Sequence, residues 1–219
     1  FEHFAEKVRE HLAGAGRVLD VGAGAGIIDA LDWRAPGRRV IGIDLDPRVR
    51  SNPNLDSGLL ADARALPFPD NTFDSAVSVN VFEHIPDPAA ALREVSRVLV
   101  PGGLFCIKTP NRDHYVGRIA RITPDSFHKW YNSLRGRNPE DTFPTTYRFN
   151  RFPDIRRVAE EAGFEVLDLD AFEGVPEYLL LSAVLFLPGL AYERWANARP
   201  GRAKWRANME VILHKPPPP

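Results

Sequence analysis

Three glycines at alternate positions, Gly22, Gly24 and Gly26, follow directly on the apolar run Arg17-Val18-Leu19-Asp20-Val21. Without a Cβ there, backbone can come close to a ligand, and a strand running into such a turn makes a cradle for a nucleotide-like molecule. Carboxylates recur around it. Asp20 stands two residues before the first glycine, placed for a ligand's ammonium group. Asp44 ends a β-branched run about 20 residues further on, where a carboxylate accepts both ribose hydroxyls. Asp62 ends Leu59-Leu60-Ala61, where it accepts a hydrogen bond from an adenine-type amino group while Ala63 supplies a backbone amide. His84 and His114 follow later apolar runs and belong to the residue type that titrates nearest neutral pH, the range of a general base, with Asp113 as a candidate orienter of His114.

The glycines alone suit more than one cofactor. A dinucleotide fingerprint needs its third glycine at position 27, where Ile27 stands, and a nicotinamide dinucleotide has no ammonium group for Asp20. Composition narrows the partners. Among 219 residues, 28 basic and 29 acidic side chains give a net charge of -1, which offers no electrostatic footprint for a phosphate backbone, so no nucleic-acid partner is expected. A small-molecule acceptor fits better. The single cysteine, Cys106, rules out an internal disulfide framework and reads as core packing in Leu104-Phe105-Cys106-Ile107, consistent with a reducing, cytoplasmic setting. The chain opens on Phe1 rather than Met, and it carries no legible targeting signal.

The elements that must position these residues follow a strand and helix alternation. Phe4, Val8 and Leu12 predict an amphipathic helix over 4–13, ahead of the first strand. Short β-branched or apolar runs at 39–44, 58–61 and 73–79 read as buried parallel strands, and a helix is expected to follow the glycine turn. Leu92, Val95 and Leu99 share one face of a helix over 88–99, which Pro101-Gly102-Gly103 stops before a strand at 104–109. This rhythm predicts an α/β, doubly wound sheet with ligands at the carboxyl ends of its strands. Residues 110–150 break the pattern with aromatic, basic and proline-rich sequence, too long for an ordinary connection, and read as a substrate-covering insertion. A helix over 153–162 capped by Gly163, a strand near 165–169 and a last strand near 210–214 close the domain, and Pro216 to Pro219 form an extended tail. One domain is expected: a cofactor-binding core over 1–109, the insertion over 110–150, and the closing elements over 151–215. The apolar run 178–192 is interrupted by Pro188-Gly189 short of the ~20 residues a membrane span needs, and reads as core or as a homodimer face.

These motifs together resemble the class I S-adenosylmethionine-dependent methyltransferases, particularly the broad bacterial group that includes ubiquinone-type methyltransferases. The resemblance rests on Val18-Leu19-Asp20-Val21-Gly22-Ala23-Gly24-Ala25-Gly26, Ile43-Asp44, Ala61-Asp62-Ala63-Arg64-Ala65-Leu66-Pro67-Phe68, Phe73-Asp74-Ser75-Ala76-Val77, Phe82-Glu83-His84-Ile85-Pro86-Asp87 and Leu99-Val100-Pro101-Gly102-Gly103. It covers 17–109 well and 152–214 more loosely. It implies a Rossmann-like, seven-stranded, mostly parallel sheet with an antiparallel last strand, and S-adenosyl-L-methionine as cofactor, leaving as S-adenosyl-L-homocysteine. By matching position, Asp20 and Gly22, Ala23, Gly24 and Gly26 would hold the methionine part, Asp44 with Leu45 beside it the ribose, and Asp62 with Ala63 the adenine. Asn80 and Val81 would pass beneath the sulfonium. One departure is the short, Pro- and Asn-broken link over 47–57, which leaves little room for the usual helix and predicts an open adenine side.

The sulfonium methyl is already activated, so such a protein mainly aligns an acceptor lone pair and excludes water. A hydroxyl acceptor also needs a base, for which His84 and His114 are the candidates. His128, Trp130 and Tyr131 in the insertion suit the face of a sugar or a planar acceptor, and Tyr147 and Arg148 are placed to close over it. His3, His11 and His214 read as surface or strand-end residues. No metal site is expected, because only Asn111 and Asp113 cluster as oxygen ligands. The reading is O-methylation of a small metabolite, sugar or glycolipid precursor. Carbon or nitrogen methylation of a quinone or other secondary metabolite, a nicotinamide oxidoreductase, and a non-catalytic S-adenosylmethionine-binding module remain as alternatives.

Overall fold

The computed structural model describes residues 1–115, 144–174 and 183–218. Seven strands form one sheet: β1 Arg17–Val21, β2 Arg39–Asp44, β3 Ser57–Leu60, β4 Phe73–Val79, β5 Leu99–Pro110, β6 Glu165–Phe172 and β7 Asn208–His214. Their order is β3-β2-β1-β4-β5-β7-β6. The pairs from β3 across to β5 are parallel, and β7 lies antiparallel between β5 and β6. This is the Rossmann-like arrangement expected, with its last strand reversed. The strand order turns back between β1 and β4, so the carboxyl ends of β2, β1 and β4 surround the crevice in which open α/β sheets hold ligands.

Two apolar layers fix the sheet. On one face, Phe4, Ala5, Val8 and Leu12 pack with Val18, Val40, Val77, Cys106 and Ile212. The first three belong to α1 (Glu2–His11). Burial pushes the Cys106 thiol up to about 12, as a packed rather than reactive sulfur requires. On the other face, α2 (Pro88–Val98) and α3 (Phe152–Glu161) cover Leu19, Val21, Phe73, Phe105 and Ile107. Helix α2 starts where Asp87 accepts from the amide of Ala90 at 3.0 Å with Pro88 in the first turn, and it buries Ala91, Leu92, Val95 and Val98. Gly163, at φ +82, ends α3 and donates to Glu160 O at 3.0 Å.

Three expectations are corrected. No α-helix follows the glycine turn; the described chain between β1 and β2 holds only a three-residue 3₁₀ turn, Asp29–Leu31, in a stretch bounded by Gly26 and Pro36-Gly37 and carrying Asp29 and Asp32, residues that favour turns over helix interiors. Trp33, 1% exposed, fills the space on the α1 face instead. Strand β5 begins at Leu99 rather than after Gly103: Phe73 pairs with Leu99 and Ser75 with Leu104, so Pro101-Gly102-Gly103 forms an irregularity within an extended segment. Pro188-Gly189 does not break the apolar run, since α4 (Ala183–Asn197) passes through it, and a proline inside a helix removes a single amide donor. Among the described residues no helix is long and apolar enough to cross a membrane.

The link from β3 to β4 also lacks a helix, and α2 holds it in place from the side. Arg97 donates to Phe68 O at 2.8 Å, Leu66 O at 3.1 Å and Asp70 at 2.9 Å, while Glu94, itself bound by Arg97, accepts from Leu66 N at 2.7 Å. The Arg97→Met variant keeps the apolar stem but leaves two carbonyls without their donor. It should lower stability by about 1–3 kcal/mol in urea unfolding, and an unchanged midpoint would show that the link holds itself.

Candidate cofactor cradle and proton-transfer site

The cradle starts from backbone in the left-handed region that favours glycine. Gly22, Gly24 and Gly26 all have positive φ, at +78, +56 and +71. A Cβ on Gly22 would lie 2.2 Å from Val81 Cγ2, so the turn after β1 and the turn after β4 touch through that glycine. Gly22 and Ala23 donate to Ile43 O at 2.8 and 3.1 Å, which ties the turn to the end of β2. Asp44 then takes the next amide, Gly24 N, on Oδ2 at 2.8 Å and Asp46 N on Oδ1 at 2.8 Å. Its carboxylate is therefore held through both oxygens, each with a lone pair left to accept a further hydrogen bond. Leu45 beside it is 70% exposed, an unpaired apolar surface at the edge of the crevice.

Asp20 stands one residue before the end of β1. Burial pushes its carboxyl up to about 7; the Trp33 indole opposes the rise and the nearby Asp44 charge adds to it. Next to β3, Asp62 is gripped by Arg64 through Nε at 3.0 Å and Nη2 at 2.7 Å, and this pairing holds its carboxyl below the usual range. Ala63 packs against the core beside it. After β4, Asn80 takes φ +57, donates its amide to Lys108 O at 2.8 Å and accepts from Lys108 Nζ at 3.2 Å. The structure thus brings Asp62, Asp44, Asp20 and Asn80 to the ends of four adjacent strands, β3, β2, β1 and β4. At the ordinary strand spacing these span about 14 Å.

Around the neighbouring strand ends lie the titratable groups. His84 Nδ1 is 2.9 Å from Pro144 O, and since a carbonyl only accepts, Nδ1 carries a proton; Nε2 lies 3.9 Å from Glu83 Oε1. Glu83, 5% exposed, has its carboxyl raised by burial, against the opposing pull of its own backbone amide, His84, Thr109 and Lys108. Its Oε2 accepts from Thr109 Oγ1 at 3.3 Å, and Asn150 donates to that same hydroxyl at 2.8 Å. Thr146 and Tyr147 donate their amides to Glu83 O at 2.7 and 3.1 Å, so the segment carrying Tyr147 and Arg148 is anchored to the loop after β4. Tyr147 is half-buried at φ +50, and Arg148 is exposed.

His114 has a partner that spacing did not reveal. Its Nε2 lies 3.2 Å from Glu173 Oε2, with both side chains buried. Glu173 follows β6 and is fixed by Ala207 N, which donates to Oε2 at 2.7 Å, and by Asn197, which bonds its backbone N and O at 3.0 and 2.9 Å. The rings of Tyr115 and Tyr192 lie 4.2 and 5.9 Å from the imidazole. Asp113 is not the orienter: its carboxylate meets Arg151 Nε at 3.0 Å, half-exposed, because adjacent side chains leave the chain in different directions and His114 turns inward. The signal for Glu173 in the sequence was only that an acid followed a strand. His128, Trp130 and Tyr131 lie outside the described residues. No group of three or more His, Cys, Asp or Glu placed to hold a metal occurs among the described residues. A cavity of about 340 Å³ between α1 and the ends of β6 and β7 is lined by charges that pair with one another, Lys7 with Glu210 and Arg206 with Asp170.

With this geometry, comparison with known proteins is informative. Residues 19–107 match the methyltransferase domain family. A ubiquinone biosynthesis O-methyltransferase of Xanthomonas euvesicatoria pv. vesicatoria (strain 85-10) is 35% identical over 144 residues, covering 58% of this chain and 59% of that protein. An uncharacterized methyltransferase of Mycobacterium sp. (strain JLS) is 26% identical over 219 residues, covering 94% of this chain and 79% of its own length. This chain therefore spans about three-fifths of the ubiquinone relatives it matches. Among solved structures, the [4+2]-cyclase SpnF superposes with a TM-score of 0.62 at 22% identity, over 98% of this chain and 80% of that one, a likeness of fold.

If Asp20 meets the ammonium group of S-adenosylhomocysteine, as the sequence predicts, its raised carboxyl becomes measurable. Below pH 7 the free carboxyl is protonated and must lose its proton to pair with the ammonium. Affinity should therefore fall about tenfold per pH unit between about 7 and 5, and the Asp20→Asn variant should show no such slope in calorimetry. A flat wild-type profile would remove Asp20 from the ligand. Asp44→Ala should cost about 1–3 kcal/mol of binding at any pH in that range, and unchanged affinity would remove the ribose assignment.

Proposed function

We propose that this chain, whose residues 19–107 match the methyltransferase domain family, is a class I S-adenosylmethionine-dependent methyltransferase that transfers a methyl group to a hydroxyl oxygen of a small acceptor such as a sugar, a glycolipid precursor or a related metabolite. Bound S-adenosylmethionine supplies an electrophilic methyl whose transfer requires no covalent enzyme intermediate. The residues present fit it: Asp20 suits its ammonium group, Asp44 its ribose, and glycine backbone without side chains at 22, 24 and 26 allows its approach. The names of the ubiquinone relatives support oxygen as the receiving atom.

The observation that carries the hydroxyl reading is the His114–Glu173 pair. Burying an ionisable histidine against a carboxylate is costly unless the pair is held by further hydrogen bonds, and Glu173 is held by two other segments. Such pairs concentrate where proton transfer is needed. His114 is the group proposed to take the hydroxyl proton as the oxygen gains the methyl, with Glu173 Oε2 lying 3.2 Å from its Nε2. The Glu173 charge stabilises the imidazolium that forms, and Tyr115 and Tyr192 exclude water from the ring. His84, with Nδ1 committed to Pro144 O, is the second candidate on the same edge.

Transfer of labelled methyl from S-adenosylmethionine across a panel of hydroxyl, amine and carbon acceptors tests this reading. On the accepted hydroxyl compound, His114→Ala should lower kcat about 10²–10⁴-fold while cofactor affinity stays within about twofold. Glu173→Gln should lower kcat and shift the acid limb of the pH profile. If His84→Ala takes the loss and His114→Ala does not, the base is His84; if only amines or carbon acceptors are methylated, the oxygen assignment fails.

A further inference from the structure

We infer that Asn52, on the link between β2 and β3, is a positioning residue that aims the amide of Ala25 at the carboxylate end of the cofactor; this rests on the reading of the crevice as an S-adenosylmethionine site. Asn52 is 8% exposed. Its Nδ2 donates to Ala23 O at 2.9 Å and Gly24 O at 3.2 Å, and its Oδ1 accepts from Asn54 N at 2.8 Å. All its hydrogen-bonding capacity that reaches the turn is spent on the carbonyl side of the glycine run. Gly26 is pressed so close that a Cβ there would fall 2.1 Å from Asn52 Oδ1.

A trans peptide unit presents its C=O and its N–H in opposite directions. Pinning Ala23 O towards Asn52 therefore turns Gly24 N–H away from it, and that amide is found on the far side, on Asp44 Oδ2 at 2.8 Å. Pinning Gly24 O does the same for Ala25 N–H, which has no acceptor among the described residues. Asn54 continues the pattern by reaching Gly26 O at 3.4 Å. In a strand, glycine turn and helix unit the helix start directs several amides at once. Here the described chain offers only a three-residue 3₁₀ turn, so the direction of each amide depends on a side chain behind it. The link that looked too short for a helix supplies those side chains.

A carboxylate-dependent effect separates positioning from general support. S-adenosylhomocysteine carries the carboxylate, whereas 5′-methylthioadenosine shares the nucleoside and sulfur but lacks it. In calorimetry, Asn52→Ala and Asn52→Asp should weaken S-adenosylhomocysteine binding about 10–100-fold, the effect of one or two charge-assisted hydrogen bonds, and change 5′-methylthioadenosine binding less than about twofold. Retained binding of the second ligand also shows that each variant is folded. Equal losses for both ligands, or no loss for the first, overturn the assignment of Asn52 alone. Failure of the wild-type chain to bind either ligand overturns the cofactor reading itself, and the assignment with it.

Discussion

A turn made of glycines has no side chains with which to hold its own shape, and the ligand-facing edge of this sheet depends on what grips that turn from outside. Ile43 O takes the amides of Gly22 and Ala23, Asp44 takes that of Gly24, and Asn52 holds the carbonyls of Ala23 and Gly24. Val81 closes the remaining side against Gly22. The conformation after β1 is thus set by residues at the ends of β2 and β4 and on the β2–β3 link. Asp44 is itself held from two sides, by Gly24 N on one oxygen and by Asp46 N on the other.

The two faces of the sheet and its carboxyl edge do different physical work. Phe4, Val8, Val77, Cys106 and Ile212 on one face, and Leu19, Phe73, Leu92, Val95 and Phe105 on the other, supply the burial that stabilises the fold. The edge does the opposite: it buries Glu83, His114 and Glu173 and raises the carboxyl of Asp20 to about 7. Such groups cost free energy unless they are hydrogen-bonded or used, and each is supported by a segment distant in sequence: Thr109 for Glu83, Ala207 and Asn197 for Glu173.

Much of the scaffold was legible because buried parallel strands are written as short apolar runs between turn residues. Arg39–Asp44 and Phe73–Val79 stand where their β-branched runs place them, and Pro88 and Gly163 mark helix ends as their restricted or permissive backbones require. The helix expected after the glycine turn was an inference from the usual unit, and Gly26, Asp29, Asp32 and Pro36-Gly37 overrode that habit. The interruption of the apolar run expected at Pro188-Gly189 failed for the reverse reason: a proline removes only one amide, and helix α4 runs on past it. Pairing was hardest to read. Asp113 was the sequence neighbour of His114, yet contact follows side-chain direction, which sent Asp113 to Arg151 and His114 to Glu173.

The order of residue types along the chain determined by itself that there is a parallel α/β sheet, a glycine cradle after its first strand, and a row of carboxylates at 20, 44 and 62, because strand pattern, backbone permissiveness and charge are local properties. Only the tertiary structure decided which polar groups meet. Asn52 behind Gly24, Arg64 gripping Asp62, and Glu173 beside His114 are set by the packing of separate segments, and with them which lone pairs and amides stay available to a ligand. Hydrogen bonding acts over about 3 Å and in specific directions, so it is fixed by where the folded chain brings its atoms and by no feature of the linear spacing.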